Sequence, residues 1–402
     1  MTSATPIQNL LAELPPSPAD KQGWPWTEAT SRPSGADAGT WPRITLVTPS
    51  YNQAAYLEET IRSVLLQGYP NLQYLVIDGG STDGSADIIR KYEPWLDHWV
   101  SEPDRGQSHA IQKGISRANG EWFNWLNSDD FLAPGALFAL AAVLDSPGAV
   151  AASGLTANLR GREVFSRYAA GILPDWPGGL FALRVNQPGS LLHLPAVRQA
   201  GGVREDLHLV MDLDLWLRLL RRHGPAAFRQ IDREVAVYRY HEASKTCAGT
   251  DVFALEEFAV LADLAASIPG LSLPAGIQQL RSRCRAASVP VSGDGPAIPA
   301  PAAERAWIER LVVNDSLLFR AGRNAQPEET DPLPSFLALL DELKPALARH
   351  FDPPACDRIR SAAIIHALQI AGRRLSLAAF KALRLSPTPG TAKDLLRLAL
   401  RP

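Results

Sequence analysis

Cysteine is scarce in this chain of 402 residues: three are present, Cys247, Cys284 and Cys356, widely separated and without a Cys-x-x-Cys pair. That spacing argues against a disulfide framework or a zinc knuckle, and a reducing cytoplasm suits it. No apolar run reaches the ~18 residues a spanning helix needs. The first twenty residues lack the basic-then-apolar order of a secretory signal. No strand-like segment is followed by Gly-x-Gly-x-x-Gly, which disfavours a dinucleotide-dependent dehydrogenase. Nor is there a large charge of either sign. A net charge of -2, with 46% hydrophobic and 20% charged residues, describes a globular chain of about two or three domains and offers no broad surface for nucleic acid.

The charge that is present lies unevenly. From Pro353 onward nine basic residues face only Asp357 and Asp394, a local +7 that leaves -9 for the rest. Leu375 to Leu385 and Ala392 to Leu400 can be drawn as helices with one apolar and one cationic face, which suits peripheral contact with an anionic membrane surface. Three regions are expected. Residues 1-42, rich in Pro, Ser, Ala and Thr, read as an irregular lead-in packed on the core through Trp24, Trp26 and Trp41, with ordered structure starting at Arg43. Residues 43-250 read as an α/β domain. Residues 251-402 read as a helical region with a Pro-rich linker near 289-301.

Within 43-250, short β-branched or aromatic runs end in polar turns and are followed by helical spacing. Ile44 to Thr48 ends at Pro49-Ser50-Tyr51-Asn52-Gln53, and a helix follows with Glu58 and Glu59 in its first turn, where the helix dipole favours acids. Leu72 to Ile77 ends at Asp78 and a Gly-Gly-Ser-Thr-Asp-Gly-Ser turn. Trp99 to Ser101 leads to Asp104. Trp122 to Leu126 stops at Asn127-Ser128-Asp129-Asp130. Such alternation predicts a parallel, doubly wound sheet with helices on both faces, gathering Asp78, Asp104 and Asp129 on its C-terminal edge, where open α/β sheets bind ligands. Adjacent carboxylates there repel unless a cation or proton compensates them; a helix N-cap is the alternative reading of Asp129 and Asp130. Asp212 and Asp214 open an amphipathic helix. Trp122, Trp125 and Trp216 read as core. Asn186-Gln187-Pro188 belongs to the stretch that leads into Leu191 to Leu194.

Taken in order, Thr48 to Gln53, Gln67 to Asn71, Val76 to Ser85, Ser101 to Ser108, Leu126 to Asp130 and Met211 to Trp216 resemble the motifs of family 2 glycosyltransferases with the GT-A fold, the type that builds bacterial polysaccharides. The resemblance covers about half of the chain, from Ile44 to Thr246. It implies a mostly parallel twisted sheet flanked by helices, and inverting, metal-dependent transfer of a sugar from a UDP-, GDP- or dTDP-sugar to a saccharide or lipid-linked acceptor. Pro49, Ser50 and Tyr51 would line the nucleotide pocket, and Asp78 would accept from base or ribose. Gln107 and Ser128 would lie against the nucleotide sugar. Asn127-Ser128-Asp129 stands where the family has Asp-x-Asp, which makes Asp129 the first candidate to hold Mn²⁺ or Mg²⁺, Asp130 the second, and Asn127 a ribose or water-mediated contact. One carboxylate fewer weakens that metal site. Asp212 would be the catalytic base, with Asp214 structural. His241 would reach the metal or diphosphate, and Lys245 would neutralise phosphate charge.

Two other readings remain. A nucleotidyltransferase also needs a sheet-edge acid and a metal, but it would carry a Gly-rich, basic phosphate loop after the first strand. A catalytically silent sugar-nucleotide-binding scaffold is conceivable because of Asn127, although Asp129 and Asp212 are retained.

Overall fold

The computed structural model describes residues 7-30, 41-172, 178-181, 183-242, 244-245, 250-284, 298-313, 317-325 and 333-370. They form two compact units, Met1–Ile172 with Leu183–Ala248, and Leu173–Ala182 with Gly249–Pro402.

Nine strands make one sheet in the first unit: β1 (Ile44–Ser50), β2 (Leu72–Asp78), β3 (His98–Ser101), β4 (Trp122–Trp125), β5 (Phe131–Leu132), β6 (Ala151–Arg160), β7 (Glu163–Ala169), β8 (Ser190–His193) and β9 (Phe228–Tyr240). The helices of the chain up to that point are α1 (Ile7–Glu13), α2 (Ala54–Leu65), α3 (Ser85–Tyr92), α4 (Gln107–Arg117), α5 (Ala136–Ala141), α6 (Gly178–Phe181), α7 (Leu194–Gln199) and α8 (Met211–His223).

The order β3-β2-β1-β4 is wholly parallel, with Ile44 opposite both Leu72 and Trp122. All seven residues of β1 are buried. Helices cover both faces of such a strand, which is why it reads as a continuous apolar run without alternation. Beyond β4 the sheet changes character. β8 runs antiparallel to β4 and to β6, β9 runs parallel to β6, the short β5 closes on β9, and β7 folds back on β6 as a hairpin. The α/β fold expected from the sequence is therefore present as a parallel half joined to a mixed half. Trp122, Trp125 and Trp216 are buried.

Two local expectations need correction. The helix after β1 begins at Ala54, so Glu58 and Glu59 stand in its second turn and do not serve the dipole. Tertiary partners claim them instead: Glu58 accepts from Lys91 and Tyr92, and Glu59 pairs with Arg239. Order also begins before Arg43. α1 precedes the sheet, Trp26 is buried, and the Trp24 indole donates to the Leu132 carbonyl at 2.8 Å. The physical reason is Arg62, buried in α2, whose guanidinium donates to the carbonyls of Pro15, Pro25 and Trp26 and to the Tyr92 hydroxyl. A buried cation needs such partners, and the lead-in provides them.

The second unit is helical, with Thr250–Ala266, Ala275–Arg283, Ala300–Ile308, Leu317–Ala325, Leu333–Glu342, Lys344–His350 and Pro353–Ile370. Its core brings Phe181 of α6 and Phe258 against Trp307, with ring centroids 5.7 and 6.2 Å apart. Ala300 and Pro301, expected in the linker, open a helix, since Pro is tolerated in a first turn. The rest of that linker up to residue 297, and the two basic helices expected within 375-400, lie outside the described residues. Among the described residues no helix is long and apolar enough to cross a membrane.

Candidate active site

The C-terminal edge of the parallel half is built by two interlocked turns. Asp78, at the end of β2, is fully buried, and its carboxylate accepts from the backbone N–H groups of Gly80 and Ser81 and the hydroxyls of Ser81 and Ser101, at 2.6 to 3.1 Å. It thus shapes the turn that follows it, and Oδ1 carries one of these four donors. Across the gap, Asn52 adopts a positive φ of 51°. Its N–H donates to Ser81 Oγ, and its side-chain oxygen accepts from the Thr82 N–H. Asp83 then reaches the N-termini of two helices, accepting from Ala54 N at the start of α2 and Ser85 N at the start of α3. Burial opposes its ionisation, but the Ser85 hydroxyl and these N–H groups hold its carboxyl below the ordinary range. A third loop packs closely here: a Cβ at Gly79 would stand 2.9 Å from an Asp104 side-chain oxygen.

Within this frame Pro49 and Ser50 are buried, and Tyr51 is 63% exposed. The Ser50 hydroxyl is buried without a hydrogen-bond partner among the described residues. An orphaned buried hydroxyl is costly unless something meets it, and Tyr51 beside it offers a free ring face.

The turn after β4 carries the acids. Asp129 Oδ2 lies 2.9 Å from His241 Nε2, with both side chains mostly sheltered. Asp130 is fully buried; one oxygen accepts from the Arg239 backbone N–H at 3.0 Å and the other from Asn127 Nδ2 at 3.3 Å. Burial, reinforced by the neighbouring Asp129 charge, pushes its carboxyl well above the ordinary range. Asp130 therefore ties β4 to β9. Asn127 is engaged at both ends, because its oxygen also accepts from Gln107 Nε2 at 2.6 Å. An amide can serve Gln107 and Asp130 together, whereas a carboxylate would have no proton for Asp130. Ser128 is buried, and its carbonyl accepts from the Thr60 hydroxyl.

Sequence reasoning missed Arg239 and Tyr56. The Arg239 guanidinium donates to the Asp129 carbonyl, pairs with Glu59 and lies 4.8 Å over the Tyr56 ring, which in turn sits 4.8 Å from the His241 ring. Only the pairing of β5 with β9 brings these together, and no local spacing announces it.

Asp212 occupies the first turn of α8, and its Oδ1 accepts from the Leu213 N–H at 2.8 Å. Burial pushes its carboxyl up to about 6 against the pull of that N–H. Asp214 points elsewhere, as expected from its spacing: it is buried and held by Arg218, with Arg204 at 3.6 Å. The phenol of Tyr168 in β7 is raised, first by burial and then by neighbouring charges that include Asp130 and Asp212. Lys245 Nζ donates to the His208 carbonyl, in the segment that leads into α8. Asn186 and Gln187 are buried with inward partners, Thr156 and Gly154 for the first, Asn124 and Trp125 for the second.

Among the described residues no group of three or more His, Cys, Asp or Glu converges as a metal cage. What the rim supplies is one carboxylate and one imidazole. That donor set fits Mn²⁺ or Mg²⁺ that takes its remaining ligands from phosphate oxygens and water.

A parallel β3-β2-β1-β4 half with an acid-bearing C-terminal edge, extended by a mixed half, defines the GT-A class of fold. Residues 45–209 match Glycosyl transferase family 2. TuaG of Bacillus subtilis, named for teichuronic acid biosynthesis, is 38% identical over 93 residues, which are 22% of this chain and 36% of that one. An uncharacterized glycosyltransferase of Rickettsia typhi is 28% identical over 234 residues, covering 55% of this chain and 70% of its own. The chain thus spans about a third of the length of the first and over two thirds of the second. Crystal structures of Staphylococcus aureus TarS 1-349 share the fold. The complex with UDP-GlcNAc has a TM-score of 0.52 at 14% identity over 82% of this chain and 87% of that one; the complex with UDP has 0.53 at 15% over 83% and 93%.

Proposed function

We propose that this protein transfers a sugar from a nucleotide-sugar donor to a saccharide or lipid-linked acceptor with inversion at the anomeric carbon, in the assembly of a surface polysaccharide. The observation that carries the reading is the pairing of Asp129 with His241 on the same edge as the Asp78 turn. Tyr51 and Ser50 take the base, and the N–H-rich turns organised by Asp78 and Asp83 hold the ribose and phosphate side. Gln107 and Asn127 fix the loop under the donor, and Lys245 balances phosphate charge. When held by Asp129 and His241, Mn²⁺ or Mg²⁺ supplies charge neutralisation to the leaving nucleoside diphosphate.

Asp212 performs the proton chemistry. As the acceptor hydroxyl attacks the anomeric carbon, its proton passes to the Asp212 carboxylate and the nucleoside diphosphate departs from the opposite face. A carboxyl pushed up to about 6 is a better base than an ordinary one and is still ionised near neutrality. TarS, solved with UDP-GlcNAc and with UDP, supports a nucleotide-sugar donor, and TuaG, named for teichuronic acid biosynthesis, supports a surface polymer.

A thermal-shift screen of UDP-, GDP- and dTDP-sugars, with and without Mn²⁺, tests the reading, because a ligand of the native state raises its stability by mass action. One base class should stabilise selectively and be turned over. If no nucleotide sugar shifts the transition, the proposal fails. A cytoplasmic protein touching the inner membrane surface through the basic segment belongs to the same reading; truncation after Ile370 should then reduce co-sedimentation with anionic vesicles.

A further inference from the structure

β9 has two different faces. Arg239 reaches toward Asp129 on one, while Tyr238 and Tyr240, one position to either side, project on the other, as strand periodicity requires. The Tyr238 and Tyr240 rings meet edge to face at 5.0 Å. The β6–β7 hairpin adds to that second face through a register slip. Asn158 pairs with Ser166 and Leu159 with Val164, so Phe165 is the extra residue. A bulge of this kind re-aims a side chain, and the Phe165 ring meets Tyr240 edge to face at 5.2 Å. The Arg160 guanidinium covers both, 5.0 Å from the Phe165 ring and 5.9 Å from that of Tyr240. Asn158 donates to the Ser166 hydroxyl at 2.8 Å on the same face. Phe165 is 45% and Val164 39% exposed. Toward the acids the face continues to Tyr168, opposite Thr156 of β6, whose phenol feels the charges of Asp130 and Asp212.

We propose that this strip is the acceptor platform: an acceptor saccharide lays its C–H faces on Phe165, Tyr240 and Tyr238, gives its hydroxyls to Arg160 and Ser166, and delivers its terminal sugar past Tyr168 to Asp212. The inference rests on the glycosyltransferase reading above and names where its second substrate sits. The chemistry favours a saccharide over a protein partner. Rings alternate with a guanidinium, a hydroxyl and an amide, as an amphipathic sugar demands. Two exposed apolar side chains fall far short of the ~800 Å² that a stable protein partner covers.

The test uses the full-length protein with the variants Phe165→Ala and Arg160→Ala, both at exposed positions. The probes are neutral and acidic tetrasaccharides, cellotetraose, chitotetraose and tetragalacturonate, followed by saturation-transfer NMR, with the affinity for the nucleoside diphosphate measured in parallel. At least one tetrasaccharide should bind the wild type and bind each variant about five- to tenfold more weakly, while nucleotide affinity is unchanged. Equal tetrasaccharide binding in wild type and variants, or no binding of any probe to the wild type, overturns the platform. So does a Phe165→Ala change that converts a dimer to a monomer, because the strip is then a protein interface. Loss of nucleotide binding by the wild type itself would instead mark failure of the glycosyltransferase reading.

Discussion

The two halves of the sheet hold their functional residues by different means. In the parallel half, backbone N–H groups and short polar side chains from neighbouring loops are laced together: Asp78 and Asp83 alone accept seven hydrogen bonds from turn and helix-start donors. In the mixed half, long strands carry large side chains, and pairing register decides what meets what: Arg239 and His241 reach the β4 turn, and Phe165 meets Tyr240. The first half is a fixed mould suited to a ligand part that does not vary. The second can change its occupant by changing side chains on an unchanged frame. On the proposed reading the difference assigns nucleotide specificity to the laced side and acceptor specificity to the strand side.

That division can be broken most directly at Asp212. Asp212→Asn should leave nucleotide affinity intact and lower transfer by about 10²–10⁴-fold, measured as nucleoside diphosphate release against calorimetric binding; near-normal turnover would remove it as the base. Because the base must be ionised, wild-type turnover should fall as pH drops through about 6, and this inflection should be absent from Asp212→Asn. Stability should move the opposite way. The raised carboxyl favours the protonated folded state, an advantage lost as pH rises from 3.8 through about 6, so Asp212→Asn should melt higher than wild type above that range and not below it.

On the laced side, Asp129→Ala should weaken nucleotide binding about tenfold or more in the presence of Mn²⁺ and leave metal-free binding alone; identical affinities with and without Mn²⁺ would detach Asp129 from any metal. Asp83→Ala removes a partner from two helix starts and should cost about 1–2 kcal/mol of stability, read by urea denaturation. Glu163→Ala, at the exposed end of β7, should stay within about 0.5 kcal/mol. Equal losses at the two positions would erase the proposed contrast.

The same contrast explains what the sequence could announce. Strands β1 to β4 and their turns are legible because each is a local pattern: an apolar run, a polar stop, a helix. The pairing within the mixed half is not, because the partners of β9, β5 and β6, lie far away in the chain. Arg239 and Tyr56 escaped for that reason. Asn127 shows the other limit. Comparison with Asp-x-Asp marks it as a missing acid, and only the geometry reveals that its amide serves Gln107 and Asp130 together.

Arg62 carries a consequence for the order in which this chain can mature. Its guanidinium draws three carbonyls from the first 26 residues into the packing of α2. The lead-in, made before α2, is therefore an acceptor waiting for a donor made later, and α2 cannot settle with its cation satisfied until the lead-in has closed over it. Proteolytic removal of those residues from the finished protein should leave the buried Arg62 guanidinium only the Tyr92 hydroxyl of its four acceptors, loosening the very helix whose N-terminus Asp83 holds.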